Sequence, residues 1–339
     1  MSSTIHQGFS LIDNNSLGIP AVCAACFDIQ DVAEIEKVIS GAVSAGQSWI
    51  VLGEGTNVVF SQDVNGIVIR PKFSCIDLIE SQENEVVVRV GAGVNWHELV
   101  CWTLDQGYYG LENLALIPGS CGAAPVQNIG AYGVELNRFV ERVDYVDLNR
   151  FESKSLTNAE CGFGYRDSRF KQDLKDRALI THIYLRLSKI PSVCVDYPAI
   201  QAYLKQQGME PTPENIFDAV CTIRRSKLPD IKDIPNAGSF FKNPIISADH
   251  FERIRASEPG CPGFKQPDGS FKVPAAWLID QRGWKGKMFE GVGVHQHQAL
   301  VLINPGHKAG AELLRLAKNI QQDILQAYRI SLEIEPRVI

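Results

Sequence analysis

The apolar positions along this chain change period several times, and each change marks an element. Over residues 31–46, Val32, Ile35, Val38, Ile39, Ala42 and Val43 recur at helical steps and stop at Gly46, which predicts an amphipathic helix. Residues 49–52 form a short apolar run that feeds a glycine-rich turn at 53–57. Residues 58–60 and 67–70 read as further strands, and 85–90 as a β-branched one. Asn95, with Glu98 three positions on, opens a helix running to about Gln106. The stretches 140–148 and 178–187 read mainly as strands. Thr212 and Pro213 suit the N-cap and first position of a helix whose apolar face is Ile216, Ala219, Val220 and Ile223. A short helix near 274–281, one strand over 291–303, a long amphipathic helix over 312–328 and a strand-like end at 331–339 complete the pattern.

Composition narrows the class. A chain of 339 residues has room for two or three domains with proper cores. A net charge of −6 argues against a broad basic face for nucleic acid or a membrane surface, while leaving room for a local cationic pocket. No apolar run approaches the roughly 18–20 residues of a spanning helix, and the N-terminus lacks a signal-peptide pattern, so a cytoplasmic protein is expected. The nine cysteines are dispersed, as reduced thiols are. Cys23 and Cys26 resemble half a zinc or redox site, but no second pair accompanies them, and two buried apolar residues are expected.

Candidate chemistry concentrates in a few stretches. Residues 117–136 are dense in glycine and alanine and hold no lysine or arginine; Gln127, Asn128 and Tyr132 are their sizeable polar groups. Such a run suits a backbone that turns sharply and approaches a ligand closely. Gly53 and Gly55 begin a dinucleotide fingerprint, but Val58 stands at its third glycine and no helix pattern follows; Gly91 and Gly93 fail likewise. Each turn alone fits plain structure or ligand contact, and together they favour a ligand whose pyrophosphate backbone N–H groups could hold. Residues 161–171 gather three cations, an aspartate and three aromatics, which fits a solvated loop with an Arg–Asp pair or a working site. Arg224 and Lys227 share a helix face as dipole complements or as a phosphate pocket. Ser239 has no nucleophile elbow around it. His295 and His297 would face the same way on a strand, but no third ligand is evident and no metal is expected.

Taken together, NSLGI (15–19), LGEGTNVVF (52–60), LENLALIPGSCGAAPVQNIGAYGVEL (111–136), GYRDSRFK (164–171), AGSFFKNP (237–244) and LEIEPR (332–337) resemble the signatures of the UDP-N-acetylenolpyruvoylglucosamine reductase family, flavoproteins of bacterial peptidoglycan synthesis. The resemblance spans essentially the whole chain. It implies an α+β protein with a two-subdomain FAD-binding fold of the vanillyl-alcohol oxidase type and a separate substrate-binding domain. The implied divisions are 1–72, completed by a C-terminal strand at 329–339, then 73–228 with a type I insertion near 190–227, then 229–328.

The resemblance also assigns residues. Non-covalent FAD would be held by Gly53, Glu54, Gly55, Thr56 and Asn57. Its other contacts would be Pro118, Gly119, Ser120, Gly122, Ala123, Ala124, Gln127, Asn128, Gly130, Ala131 and Tyr132. Ala123 and Ala124 stand where some relatives carry serines, which leaves that part of the pyrophosphate to backbone donors. NADPH would be the hydride donor and UDP-N-acetylglucosamine enolpyruvate the substrate. Arg166, Ser239 and Glu335 would be catalytic, and Tyr197, Arg224, Lys227, Asn243 and Gln298 would contact the substrate. The expected form is a monomer.

Overall fold

A computed structural model describes residues 4–339, with side chains from residue 8 onward. Residues 1–3, part of the start that lacks a signal-peptide pattern, lie outside the described residues. The chain divides into two compact units. The first comprises the residues through Phe9, Cys23–Gly55 and Val64–Ser226; the second comprises Ser10–Val22, Thr56–Asp63 and Lys227–Ile339. The break after Ser226 lies beside the expected start of a substrate domain at 229, while residues 1–72 contribute to both units.

In the first unit, Val22–Ile29, Val64–Pro71 and Ser48–Val51 form parallel neighbours in a four-stranded sheet. Helix α1 (Ala33–Ser44) connects two of them and buries Ile35, Val38, Ile39 and Ala42, while Val43 is turned out, 58% exposed. A five-stranded antiparallel sheet follows in the order Glu152–Thr157, Val140–Asp147, Ala178–Ser188, Glu85–Gly91 and Ile76–Ser81. Helices α2 (Trp96–Asp105), α3 (Pro198–Gln207) and α4 (Pro213–Lys227) add apolar faces to one core running from Ile29 to Ile223. Thr212 Oγ1 accepts from the Asn215 N–H at 3.2 Å, as an N-cap does. Cys23 and Cys26 are buried free thiols; desolvation raises both, Cys26 to about 11, so neither is a ready thiolate.

The second unit is built on an antiparallel sheet ordered Asn236–Ser239, Val301–Ile303, Val292–Val294, Met288–Phe289. Helices α5 (Ala248–Ser257), α6 (Ala275–Gln281) and α7 (Gly310–Tyr328) supply its apolar faces, and α7 buries Leu313, Leu316, Ala317, Ile320 and Ile324. Two expectations are corrected here. Residues 291–303 form a hairpin, not one strand: Gly293 pairs with Ile303 and Val294 with Leu302 around a polar turn. That turn contains neither glycine nor proline, so its sequence carries no break signal. Residues 331–339 are not one strand either. Ile334 pairs with Phe241, Arg337 and Val338 pair with Val58 and Val59, and Pro336 between them cannot donate to a ladder.

Asn95 shows how the first unit fixes its loops. Its side-chain oxygen caps α2 by accepting from the His97 and Glu98 N–H groups, at 3.0 and 3.2 Å, while its amide donates to both Glu54 oxygens. Replacing Asn95 by alanine should lower the unfolding free energy by about 1–2 kcal/mol, read as a shifted denaturant midpoint. An unshifted midpoint would show that the cap contributes nothing.

Candidate active site

In the first unit, the glycine-rich segment is seated on the residues between a strand end and α2. Cys121 N–H donates to Val94 O at 2.8 Å, Gly122 N–H to Ala92 O at 2.9 Å, and Trp96 N–H to Gly119 O at 2.9 Å. Gly122 permits this approach: a Cβ there would lie 2.5 Å from Ala92 Cβ. Across the same seat, a Cβ on Gly53 would lie 2.7 Å from Ser120 Oγ. The N–H groups of Gly53, Glu54, Gly55, Gly119 and Ser120 donate to no backbone carbonyl among the described residues. Clustered amide donors of this kind suit a pyrophosphate. The unit boundary falls within the expected turn, since Thr56 and Asn57 open a segment of the second unit.

Further along the loop, polar side chains serve the loop itself. Asn128 is fully buried; its Nδ2 donates to Glu135 Oε2 (3.0 Å) and Gly164 O (3.1 Å), and its Oδ1 accepts from Asn137 N–H (2.9 Å). Every polar atom of that side chain is thereby satisfied without water, as burial demands. Ala124 is buried in the core, whereas Ala123 is exposed.

Arg166 lies in the tight turn between the paired residues Gly164 and Asp167 and has φ +55, a left-handed backbone at a position glycine would normally take. Its Nη2 donates to Gly130 O at 2.7 Å, which ties it to the glycine-rich segment, and Lys171 Nζ donates to its carbonyl at 3.2 Å. Arg169 pairs with Asp173 just beyond this stretch, 2.7 Å apart, while Asp167 accepts from Gln172 Nε2 at 2.9 Å. Arg224, near the end of α4, donates from Nε to Leu116 O. Burial pulls its pKa down, and the Arg166 charge acts in the same direction against Tyr132 and Cys221. Among the described residues no carboxylate contributes to that shift, although an arginine stays charged throughout. Tyr197 meets Tyr132 edge-on, with ring centroids 5.0 Å apart. The first unit thus gathers Tyr132, Arg166, Tyr197 and Arg224 into a cationic, aromatic group suited to an anion. Lys227 is the exposed first residue of a second-unit segment.

The second unit gathers a different set. Ser239 is exposed at a strand end, after Gly238 with φ +64. The next residue, Phe240, accepts the Glu335 N–H at 2.9 Å, and Lys242 N–H donates to Glu333 O at 2.9 Å. This pairing brings Ser239 and the half-buried Glu335 onto adjacent segments. Arg337 N–H donates to Asn57 O at 3.0 Å, so the same C-terminal segment also reaches the end of the glycine-rich turn. Phe240 N–H donates to Leu300 O, two residues beyond Gln298. Asn243 Oδ1 accepts from Ala275 N–H at 2.9 Å, at the start of α6. His295 and His297 fall in the hairpin turn rather than along a strand, with ring centroids 5.6 Å apart. Among the described residues no three metal-type ligands cluster.

Two supporting residues were assigned no role by the sequence, although Ser16 lies within the NSLGI motif (15–19). Asn95 reads as a helix cap, and nothing in its spacing points to Glu54. Ser16 sits in a polar turn; its Oγ donates to Thr56 O at 3.1 Å and its carbonyl accepts from Asn236 N–H at 2.8 Å.

Comparison with known proteins follows this geometry. A family model described as UDP-N-acetylenolpyruvoylglucosamine reductase, C-terminal domain, matches residues 229–339, and one described as FAD binding domain matches 23–149. The chain is 43% identical over 329 residues to the UDP-N-acetylenolpyruvoylglucosamine reductase of Burkholderia multivorans, covering 96% of this chain and 94% of that protein. It is 41% identical over 334 residues to that of Pseudomonas putida, with 98% of each covered. The crystal structure of the Thermus caldophilus reductase matches with a TM-score of 0.70 at 22% identity, over 100% of this chain and 99% of that one. The expected α+β FAD-binding fold with an added C-terminal domain stands on these matches.

The donor set on the first unit fits FAD, and Gly122 is the close approach in the seat that positions it. Gly122→Ala must push the 119–122 segment off Ala92, and overpacking of this kind should weaken flavin binding about tenfold. Flavin fluorescence titration measures it, with circular dichroism to verify the fold; unchanged affinity would separate the seat from the cofactor.

Proposed function

The chain belongs to the UDP-N-acetylenolpyruvoylglucosamine reductase family, and on that premise we propose that it reduces UDP-N-acetylglucosamine enolpyruvate to UDP-N-acetylmuramate with NADPH as the donor. It is an FAD-binding oxidoreductase of peptidoglycan synthesis. FAD, when bound, supplies the hydride that it has accepted from NADPH. Gly53, Glu54, Gly55, Gly119 and Ser120 hold it through backbone N–H groups, with Thr56, Asn57, Pro118, Gly122, Ala123, Ala124, Gln127, Gly130, Ala131 and Tyr132 completing the set, while the Asn128 side chain holds the loop that presents them.

The observation that carries this reading is the conjunction of Ser239 with Glu335 on paired segments of the second unit. An enol ether of pyruvate that gains hydride at C3 builds negative charge at C2 and its carboxylate. A fixed cation lowers that barrier, and Arg166 offers one whose charge no working pH removes. Its left-handed backbone is supported by the reach of its guanidinium to Gly130 O, so the side chain is held before substrate arrives. Ser239 delivers the proton to C2, and Glu335 polarises the enolpyruvyl group or steers Arg166. Arg224 and Lys227 meet the diphosphate, and Tyr197, Asn243 and Gln298 complete the substrate contacts. The reading makes the protein a cytoplasmic monomer organised as two flavin subdomains and a substrate domain.

Two substitutions divide the reaction. Ser239→Ala should leave flavin reduction by NADPH within about twofold and slow reoxidation by the enolpyruvyl substrate by about 10²–10⁴, as followed by stopped-flow absorbance. Normal rates in both halves would remove Ser239 as the proton donor. Arg166→Ala should lose about 10²–10³ in turnover with the same substrate. Retained turnover would sink the charge-stabilising role.

A further inference from the structure

The entrance to the 117–136 segment is one residue, Leu116, whose two flanking peptide groups are held from two sides. Leu116 has φ +55, a left-handed conformation that a branched apolar residue rarely adopts. Its N–H donates to His97 Nδ1 at 3.2 Å, and its carbonyl accepts from Arg224 Nε at 3.2 Å. His97 belongs to the first turn of α2 and Arg224 to the end of α4, so two helices of the first unit grip the same residue. Because Nδ1 accepts, neutral His97 carries its proton on Nε2. The ring stacks on Phe217 of α4, with centroids 5.7 Å apart and planes 12° from parallel. Cys101, one turn along α2, lies with Sγ 4.0 Å from Nδ1 and 3.9 Å from Nε2.

We propose that His97 is a positioning residue for the flavin: as a neutral acceptor it locks Leu116 in its left-handed conformation and presets the 117–136 segment, and protonation releases that lock. The inference rests on the assignment of 117–136 to flavin binding. A protonated imidazole has no lone pair at Nδ1 and would turn donor against donor at the Leu116 N–H. The charged groups facing the ring are Arg225 and Arg224 from α4 and Glu98 from α2, two cations to one carboxylate; the thiol of Cys101 completes the surroundings. Burial is the largest cause, ahead of those two arginines, that lowers the His97 pKa below the ordinary histidine value. The sign follows from this: the lock is closed above the ordinary histidine range and is lost as pH falls through the depressed folded value.

The test compares wild type, His97→Asn and His97→Leu at about pH 7.5 and about pH 5, on either side of histidine titration. FAD affinity is measured by fluorescence titration of the full chain. Amide exchange of the peptide covering 115–118 is measured in parallel and corrected for intrinsic exchange. Wild type should lose about tenfold in FAD affinity on acidification, the scale of one buried hydrogen bond, together with protection at 115–118. His97→Asn, which keeps a non-titrating acceptor near the Nδ1 position, should change less than about twofold in both, and His97→Leu should be weak at both values. Should His97→Leu fail to fold, wild type against His97→Asn still decides. Identical pH profiles for those two overturn the proposal and leave the proposed reaction untouched. Protection that titrates while FAD affinity stays flat overturns it differently: the lock works, and the assignment of 117–136 to the flavin is what fails.

Discussion

Close approach of one backbone to another is the constraint on which the first unit's site depends. The segment 119–122 hydrogen-bonds to residues 92–96 along an edge where Gly122 leaves no room for a side chain between the two chains. That seat fixes where the amides of Gly119 and Ser120 lie, and the Asn95–Glu54 contact extends the same platform to the first glycine turn. The enclosing core is conventional: β-branched strands and amphipathic helices bury their apolar faces. It makes a rigid floor from which small-residue loops can be suspended. The second unit uses the same device at the start of α7, where a Cβ on Gly310 would fall 2.0 Å from Phe60 O. In each unit a glycine buys proximity that no other residue permits.

Helices and long strands were legible because their periods are physical: α1, α2, α4, α6 and α7 lie within a few residues of where the apolar spacing puts them. Elements without a clean period escaped. The edge strand Ile76–Ser81 is exposed over its last four residues, and Val22–Ile29 carries small residues and cysteines in place of alternation. Helices α3 and α5 bury only two residues each, Ile200 with Leu204 and Phe251 with Ile254, too few to make a stripe. The 291–303 hairpin was hidden by a turn without turn residues. The C-terminal break was visible in Pro336, yet only the tertiary partners, Phe241 on one side and Val58 on the other, reveal what it separates.

The site shows the same division. Motif resemblance picks out Arg166, Ser239 and Glu335, whose side chains would be unremarked by pattern alone. It does not distinguish residues that touch a ligand from those that hold the loop. Asn128 belongs by geometry to the second kind, since all of its side-chain hydrogen bonds run to neighbouring protein atoms. His97 and Asn95 read as ordinary first-turn and cap residues because the groups they serve, Leu116 and Glu54, are near in space and distant in sequence.

Four of the nine non-glycine residues with positive φ among the described residues lie in or beside the site. Leu116, Asn128, Tyr132 and Arg166 all have positive φ; asparagine tolerates this readily, and the other three would be more comfortable as glycine by about 1 kcal/mol or more. Glycine, however, would lose the contact each side chain makes. Arg166 reaches Gly130 O, Tyr132 meets Tyr197, Asn128 joins three segments, and Leu116 packs against the core. Their backbones are held by neighbours whose hydrogen bonds offset the cost: His97 and Arg224 on Leu116, Asn113 on the Tyr132 carbonyl, Lys171 on the Arg166 carbonyl. The strain and its compensation therefore belong to one cooperative network running from α2 and α4 through the loop to Arg166. A substitution anywhere along it should be felt at the loop, because these hydrogen bonds are what hold its left-handed residues in place.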